Sequence, residues 1–177
     1  HVAVFKKKDQ RTIYNMIYQD GKGGTSYIKR FAVTGVTRDK AYDLTQGKPQ
    51  STVLYFSANP NGEAEVVTIL LRNLSSIKKV KWDLDFADLQ IKGRSVRGNT
   101  VTKYPVRKVE LKEKGVSTLK PRKIWFDEAI RRLNLEERGN LLGAFKGEDK
   151  LLITTTQAKV RAVAPELSLH FEDEVEL

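Results

Sequence analysis

SYIKRF (26–31), SIKKVK (76–81), TLKPRK (118–123) and KVRAV (159–163) are four versions of one phrase. Each starts on a polar or small residue, carries an apolar one and runs into cations. Ile28, Ile77, Leu119 and Val160 hold the apolar place and stand 49, 42 and 41 residues apart. Periods of this size characterise propeller-type blades, small sheets that each bury one face against a neighbour. The expected fold class is therefore all-β, with about four blades or partial blades. Repeat-bearing strands are placed near 26–33, 76–84, 117–126 and 158–163.

The stretches between the repeats fit this. TIYNMIYQ (12–19), VLYF (53–56), VVTILL (66–71), VRKVEL (106–111) and LLITTT (151–156) are short and rich in β-branched and aromatic residues, the signature of strands. DGKGG (20–24), NPNG (59–62), EKG (113–115) and KGED (146–149) supply turn residues. Helical spacing occurs only over DEAIRRLNLEERGN (127–140), where Ile130, Leu133 and Leu135 face a core if a short helix forms; a loop is the alternative.

Side chains alternate across a strand. In YIKRF, Ile28 and Arg30 share one face and Lys29 takes the other; Lys78 and Lys79 alternate in the second repeat. Each blade is thus expected to turn a cation outward, and the ring of blades to carry a basic belt on its rim.

Charge supports a polyanionic partner. The 177 residues carry a formal net charge of +10, and a field of that sign attracts nucleic acid or an acidic membrane surface. From Lys92 to Lys123 there are eleven basic residues and two acids, Glu110 and Glu113. The order reverses from Glu166 onward, with five acids and no Lys or Arg. Residues 1–167 are taken as the folded domain and 168–177 as an acidic tail, a solvated linker or a competitor for the basic surface. A composition 40% hydrophobic and 31% charged, mixed in sign, supports a core rather than general disorder.

The absence of cysteine excludes a disulfide framework and a thiolate metal site, and fits a reducing cytoplasm. No apolar run reaches the ~18 residues of a membrane span. The chain opens HVAVF without Met and is expected to be a piece of a longer protein.

The loop IKGRSVRGN (91–99) sets Lys92, Arg94 and Arg97 around Gly93 and Gly98. Backbone N–H groups there, with bidentate arginines, suit phosphate oxygens. The bland alternative is a solvated loop on a basic domain; the eleven-to-two charge ratio around it favours phosphate. It is not a nucleotide-hydrolysing P-loop, because Asn99 stands where that motif needs Lys. In DLDFAD (83–88), Asp83, Asp85 and Asp88 are turn aspartates balancing lysines, since Asp88 and Arg94 replace the Gly and Glu a calcium loop requires. Trp82, Trp125 and Phe126 are assigned to core packing rather than base stacking. His1 and His170 lie near the ends and build no catalytic or metal site. Tyr104, in KYPVRK, is a packed or rim tyrosine rather than a nucleophile. No catalytic residue and no metal site are expected.

The repeat, with GGTSYIKRFAVTGVTRDKAYDL (23–44), FSANPNGEAEVVTILLR (56–72), DFADLQIKGRSVRGNTVTKYPV (85–106) and GVSTLKPRKIWFDE (115–128), resembles the C-terminal domain of the strand-breaking subunit of bacterial type IIA topoisomerases, DNA gyrase and topoisomerase IV. The resemblance covers the chain to about Leu167. It implies a β-pinwheel, a propeller-like array of four-stranded blades whose basic perimeter binds and bends duplex DNA without reading sequence. DNA-contacting positions are then Lys29, Arg30, Lys78, Lys79, Lys81, Lys92, Arg94, Arg97, Lys103, Arg107, Lys108, Lys120, Arg122 and Lys123. It also implies a cytoplasmic, nucleoid-associated bacterial enzyme, an A2B2 holoenzyme of two strand-breaking and two ATP-hydrolysing subunits. The catalytic tyrosine, ATP and Mg belong to other domains, this domain needs no cofactor, and in isolation it is monomeric.

Gyrases carry a Q-R-R-G-G-K-G box in the first blade. The nearest stretch here is Lys92, Gly93, Arg94, Ser95, Val96, Arg97 and Gly98; Arg94, Arg97 and Gly98 match in kind, and the other four depart. It follows the second repeat, and LTQGKPQ (44–50), after the first, is a weaker match. This favours topoisomerase IV behaviour over gyrase-type wrapping. The competing function, from a different class, is a protein-interaction propeller whose basic rim binds an acidic protein.

Overall fold

In the computed structural model, residues 11–73, 75, 77–147 and 149–171 and the backbone of 175–176 are described. They form strands joined by turns, with one short 3-10 turn at Phe86–Asp88 and no α-helix among them. The chain divides into two units, His1–Thr118 and Leu119–Leu177.

The first unit contains two sheets. The strands β1 (Ile13–Gln19), β2 (Ser26–Ala32) and β3 (Thr52–Asn59) lie side by side in the order β3-β1-β2. The strands β4 (Glu63–Leu71), β5 (Lys81–Asp85) and β8 (Val106–Ser117) form the second sheet in the order β5-β4-β8. Between β5 and β8 the chain returns to the first sheet. Both β6 (Ile91–Gly93) and β7 (Asn99–Thr102) pair with the outer edge of β2, making that sheet five-stranded.

Alternation explains the packing. Ile17 and Ile28, a cross-strand pair, meet Val67, Ile69 and Leu71 of β4 and Phe86 in one core. Fully burying each such side chain is worth roughly 1.5–3 kcal/mol. The opposite face of the first sheet is also covered. Met16, Tyr18 and Phe31 are buried there, packed beside Tyr14 and Tyr27 of the same strands and against Val33 and Leu44 of the following segment.

The second unit has two three-stranded sheets. One is β9 (Arg122–Asp127) between β10 (Arg132–Asn134) and β11 (Asn140–Phe145). The other is β12 (Leu151–Thr155) between β13 (Val160–Val163) and β14 (Val175–Glu176). Ile124, Phe126, Leu133, Leu151, Ile153 and Phe171 make its core, with Phe126 and Phe171 edge to face at 5.6 Å.

The five strand-like runs all lie on strands, and Phe126 is a core residue while Trp82 packs against the core of the first unit. Four expectations are corrected. EKG (113–115) is no turn: β8 runs through it, because Gly115 passes so close to β4 that a Cβ there would stand 1.9 Å from the Ala64 carbonyl oxygen. The 127–140 stretch holds no helix. Asp127 accepts from the Ala129 amide at 3.0 Å, and Asn134 accepts from those of Glu136 and Arg138 at 3.0 and 3.1 Å. Such side-chain-to-backbone turns outcompete the helix, leaving Leu133 buried and Ile130 and Leu135 exposed. The repeat phrases are not equivalent in space. SYIKRF is strand and most of KVRAV is, but 77–80 precede β5 and 118–121 precede β9, where Pro121 has no amide to donate; Ile28 is core, whereas Val160 is 60% exposed. Nor is the segment after Glu166 a plain solvated linker: Phe171 is core and its amide donates to the Arg131 carbonyl at 3.0 Å. Residues 172–174 and 177, which hold three of its acids, lie outside the described residues, as do His1 and Ser76.

Candidate nucleic-acid interface

The site is built on the outer edge of β2. β6 runs parallel to it, setting Arg30, Phe31 and Ala32 opposite Ile91, Lys92 and Gly93. β7 runs antiparallel, setting Ile28, Tyr27 and Ser26 opposite Asn99, Thr100 and Thr102. The chain must leave this edge after Gly93 and rejoin it at Asn99, so 94–97 bulge out as a loop. Of its two glycines only one is structurally required. Gly98 has φ +93°, and a Cβ would lie 2.2 Å from the Ile28 carbonyl oxygen; around Gly93 there is open space.

Three loop carbonyls turn inward. Lys29 Nζ donates to those of Arg94 and Val96 at 2.7 and 3.2 Å, and the Tyr18 hydroxyl donates to that of Arg97 at 2.9 Å. Burial pushes the Tyr18 hydroxyl up to about 12, with Asp20 adding to the effect, so it stays a donor. Arg94 is folded back: its guanidinium lies 3.7 Å from the Tyr42 ring centroid and donates to the Gly35 carbonyl. Arg97 is exposed, 5.7 Å from the Tyr27 ring centroid. Arg97 and the exposed Lys92 line a cavity of about 460 Å³ together with Asp88, Gln90 and Asn99.

Lys29 and Arg30, expected at the rim, are each 2% exposed. The two side chains do alternate, but both faces of the sheet are covered, so both cations are buried in the sheet rather than set on a rim. Lys29 holds the loop. Arg30 faces the inter-sheet core and donates to the Gly62 carbonyl at 2.6 Å, near Glu65, which accepts from Asn15 at 2.9 Å and from Ser57. Burial lowers the Arg30 pKa, opposed by Asp85, Glu65 and Glu63.

The outward face of the second sheet is not a plain basic belt either. Lys81 and Lys108 flank Leu70 on one rung; two residues along, Asp83 and Glu110 flank Thr68. Lys108 pairs with Glu110 at 2.7 Å and Lys112 pairs with Asp83. Hydrogen bonds from these lysines hold both carboxyls below their usual range, and the Asp83 bond raises Lys112. Of the aspartates of DLDFAD, Asp83 thus balances a lysine and Asp85 caps the Phe86–Asp88 turn by accepting from the Ala87 amide. Lys78, Lys79, Lys103 and Arg107 are exposed in or beside the strand ends of the same unit, and Tyr104 is exposed beside Lys103. Lys120 and Lys123 are exposed in the second unit. There Arg122 is half-buried and donates to the Pro165 carbonyl at 3.0 Å.

A family model described as the topoisomerase C-terminal domain of Bacteroidota matches residues 1–114 and 132–177. The chain belongs to that family. Comparisons with curated proteins and with solved structures returned no match. In this topoisomerase C-terminal domain the loop and all of its supports fall inside the matched residues; the unmatched 115–131 hold the end of β8 and all of β9. The supports Tyr18 and Tyr42 carried no signal in the sequence beyond a tyrosine in a strand and one in a loop. Their partners lie 79 and 52 residues further along the chain.

Proposed function

We propose that this domain holds and bends duplex DNA for a type IIA topoisomerase, as the C-terminal part of its strand-breaking subunit. One observation carries the proposal: the loop after β6 turns its carbonyl oxygens into the protein and leaves Lys92 and Arg97 on the outside. A loop with its partial negative charges buried and its cations outward suits a phosphate backbone. Lys78, Lys79, Lys81, Lys103, Arg107 and Lys108 extend the positive surface of that unit, and Lys120 and Lys123 supply that of the second. Arg94 contributes through its charge while stacked on Tyr42. Lysines and arginines that neutralise phosphates release counterions, and such contacts position a duplex without reading its sequence. Bending a 20–30 bp site costs of order 1–6 kcal/mol, which those contacts must offset.

In this reading the sheets act as blades of a pinwheel, and the domain presents a DNA segment to a cleavage core elsewhere in an A2B2 assembly. Breaking and ATP-driven passage of strands take place there, in the bacterial cytoplasm. The departures from the gyrase box at Lys92, Gly93, Ser95 and Val96 favour topoisomerase IV-type capture.

The test is a salt titration of affinity for a duplex of about 40 bp. With about six phosphate contacts, affinity falls roughly a thousandfold between about 50 and 200 mM salt, alike for unrelated sequences. No duplex binding, or a flat slope, refutes the proposal and points to an acidic protein as the partner of the basic surface.

A further inference from the structure

Lys29 is a cation in a strongly basic domain, yet it sits under the loop rather than on it. Its ammonium lies 4.9 Å from the Phe31 ring centroid and 5.7 Å from that of Tyr18, and it donates to two carbonyls of the loop. At this place β2 has lost β7 and not yet gained β6, so the loop carbonyls have no strand partner. An unpaired buried carbonyl is costly, and one turned outward would set partial negative charge against a phosphate.

We infer that Lys29 is a positioning residue: its buried ammonium collects the Arg94 and Val96 carbonyls, and so fixes the loop with Lys92 and Arg97 facing outward. This rests on the proposed DNA-binding function for its consequence, but not for its structural part. Burial lowers the Lys29 pKa to about 8, with Asp43 opposing. A lysine held here against that penalty, where a Met would fill similar space, fits a role that needs its N–H groups.

The experiment compares Lys29→Met with the wild-type chain by amide hydrogen exchange and by duplex titration. Exchange at residues 94–98 is expected to rise at least about tenfold while the β1 and β4 amides keep their protection, and duplex affinity to fall about tenfold or more. Were Lys29 instead a direct phosphate ligand, the salt slope would drop by about 0.9 with loop exchange unchanged, which overturns the inference. Unchanged exchange and unchanged affinity overturn it as well. If the wild-type chain does not bind DNA, the proposed function fails, while the exchange result still decides what Lys29 does to the loop.

Should Lys29→Met not fold, the wild-type chain suffices. The Lys29 Cε resonance and the 94–97 amides are followed together with pH. Tyr18 and Asp43 act on the ammonium directly, and Tyr27, Tyr42, Arg94 and Arg97 follow one or two contacts further out, so the midpoint is assigned from the lysine's own signal. Loop amides that move with that midpoint support the inference, and loop amides that ignore it refute it.

Discussion

Gly98→Ala is the sharpest test of the loop geometry. At Gly98 the backbone has φ +93°, a region that costs a residue with a Cβ about 1–3 kcal/mol. The added methyl would also stand 2.2 Å from the Ile28 carbonyl oxygen and 2.9 Å from Lys29 Cβ. β2 is fixed by β1 on its other side, so β7 must move away, loosening the pairing of Asn99 with Ile28. Losing one or two ladder hydrogen bonds adds about 1 kcal/mol each. The expected loss is about 3–4 kcal/mol, a large share of the ~5–15 kcal/mol that stabilises an ordinary domain. Urea unfolding followed by tryptophan fluorescence measures it. Trp82 lies in the first unit and Trp125 in the second, so a Trp125→Phe background makes the signal report on the unit that carries the loop. Gly93→Ala is the control: open space surrounds that position, and the expected change is within about 0.5 kcal/mol. A Gly98→Ala variant as stable as wild type, or a Gly93→Ala variant as damaged as Gly98→Ala, would refute the reasoning.

Other outcomes follow from the same geometry. Glu65→Ala removes a buried acceptor used by Asn15 and Ser57 and is expected to cost about 2–4 kcal/mol in urea unfolding. Lys29 gives a pH dependence of stability. Below about pH 8 it is protonated folded and unfolded, and above 10.5 it is neutral in both. Between the two, the unfolded chain holds the extra proton, so rising pH favours the fold. Wild type is expected to gain up to about 3 kcal/mol on Lys29→Met across that window, checked by unfolding both at each pH. Asp83→Asn releases Lys112 from its carboxylate, and the duplex salt slope should steepen by about 0.9 with the unfolding midpoint unchanged. Arg97→Glu should weaken binding to all duplex sequences alike, and a loss confined to one sequence would contradict backbone contact.

Much of the fold was legible because short β-branched runs have few other uses. β1, β4, β8 and β12 announce themselves this way, and the alternation of Ile28, Lys29 and Arg30 was also readable. What alternation cannot say is whether both faces of a sheet will be covered. Lys29 and Arg30 left the rim for that reason, and only long-range contacts from Gly62, Arg94 and Val96 made their burial tolerable. Glycine was ambiguous in the same way. In EKG it marked a close passage between strands, in IKG nothing that required it, and at Gly98 a true backbone constraint. Local side-chain hydrogen bonding decided 127–140, where Asp127 and Asn134 made turns out of a sequence with helical spacing. At the loop, Lys92 and Arg97 stood out by charge, whereas Tyr18 and Tyr42 matter through partners far away in the chain.

The sheet that carries the loop is assembled from pieces far apart in time as well as in sequence. β1 and β2 adjoin in the chain and can pair early. Their last partners, β6 and β7, arrive only after β4 and β5 have been laid down in another sheet. Contacts of such long sequence separation close slowly, because a large loop must first be ordered. Lys92, Arg94 and Arg97 emerge together with β6 and β7, and they are arranged only when those strands close onto β2. On the proposed DNA-binding function, the ordering of residues 92–98 becomes a late checkpoint in the folding of the whole first unit.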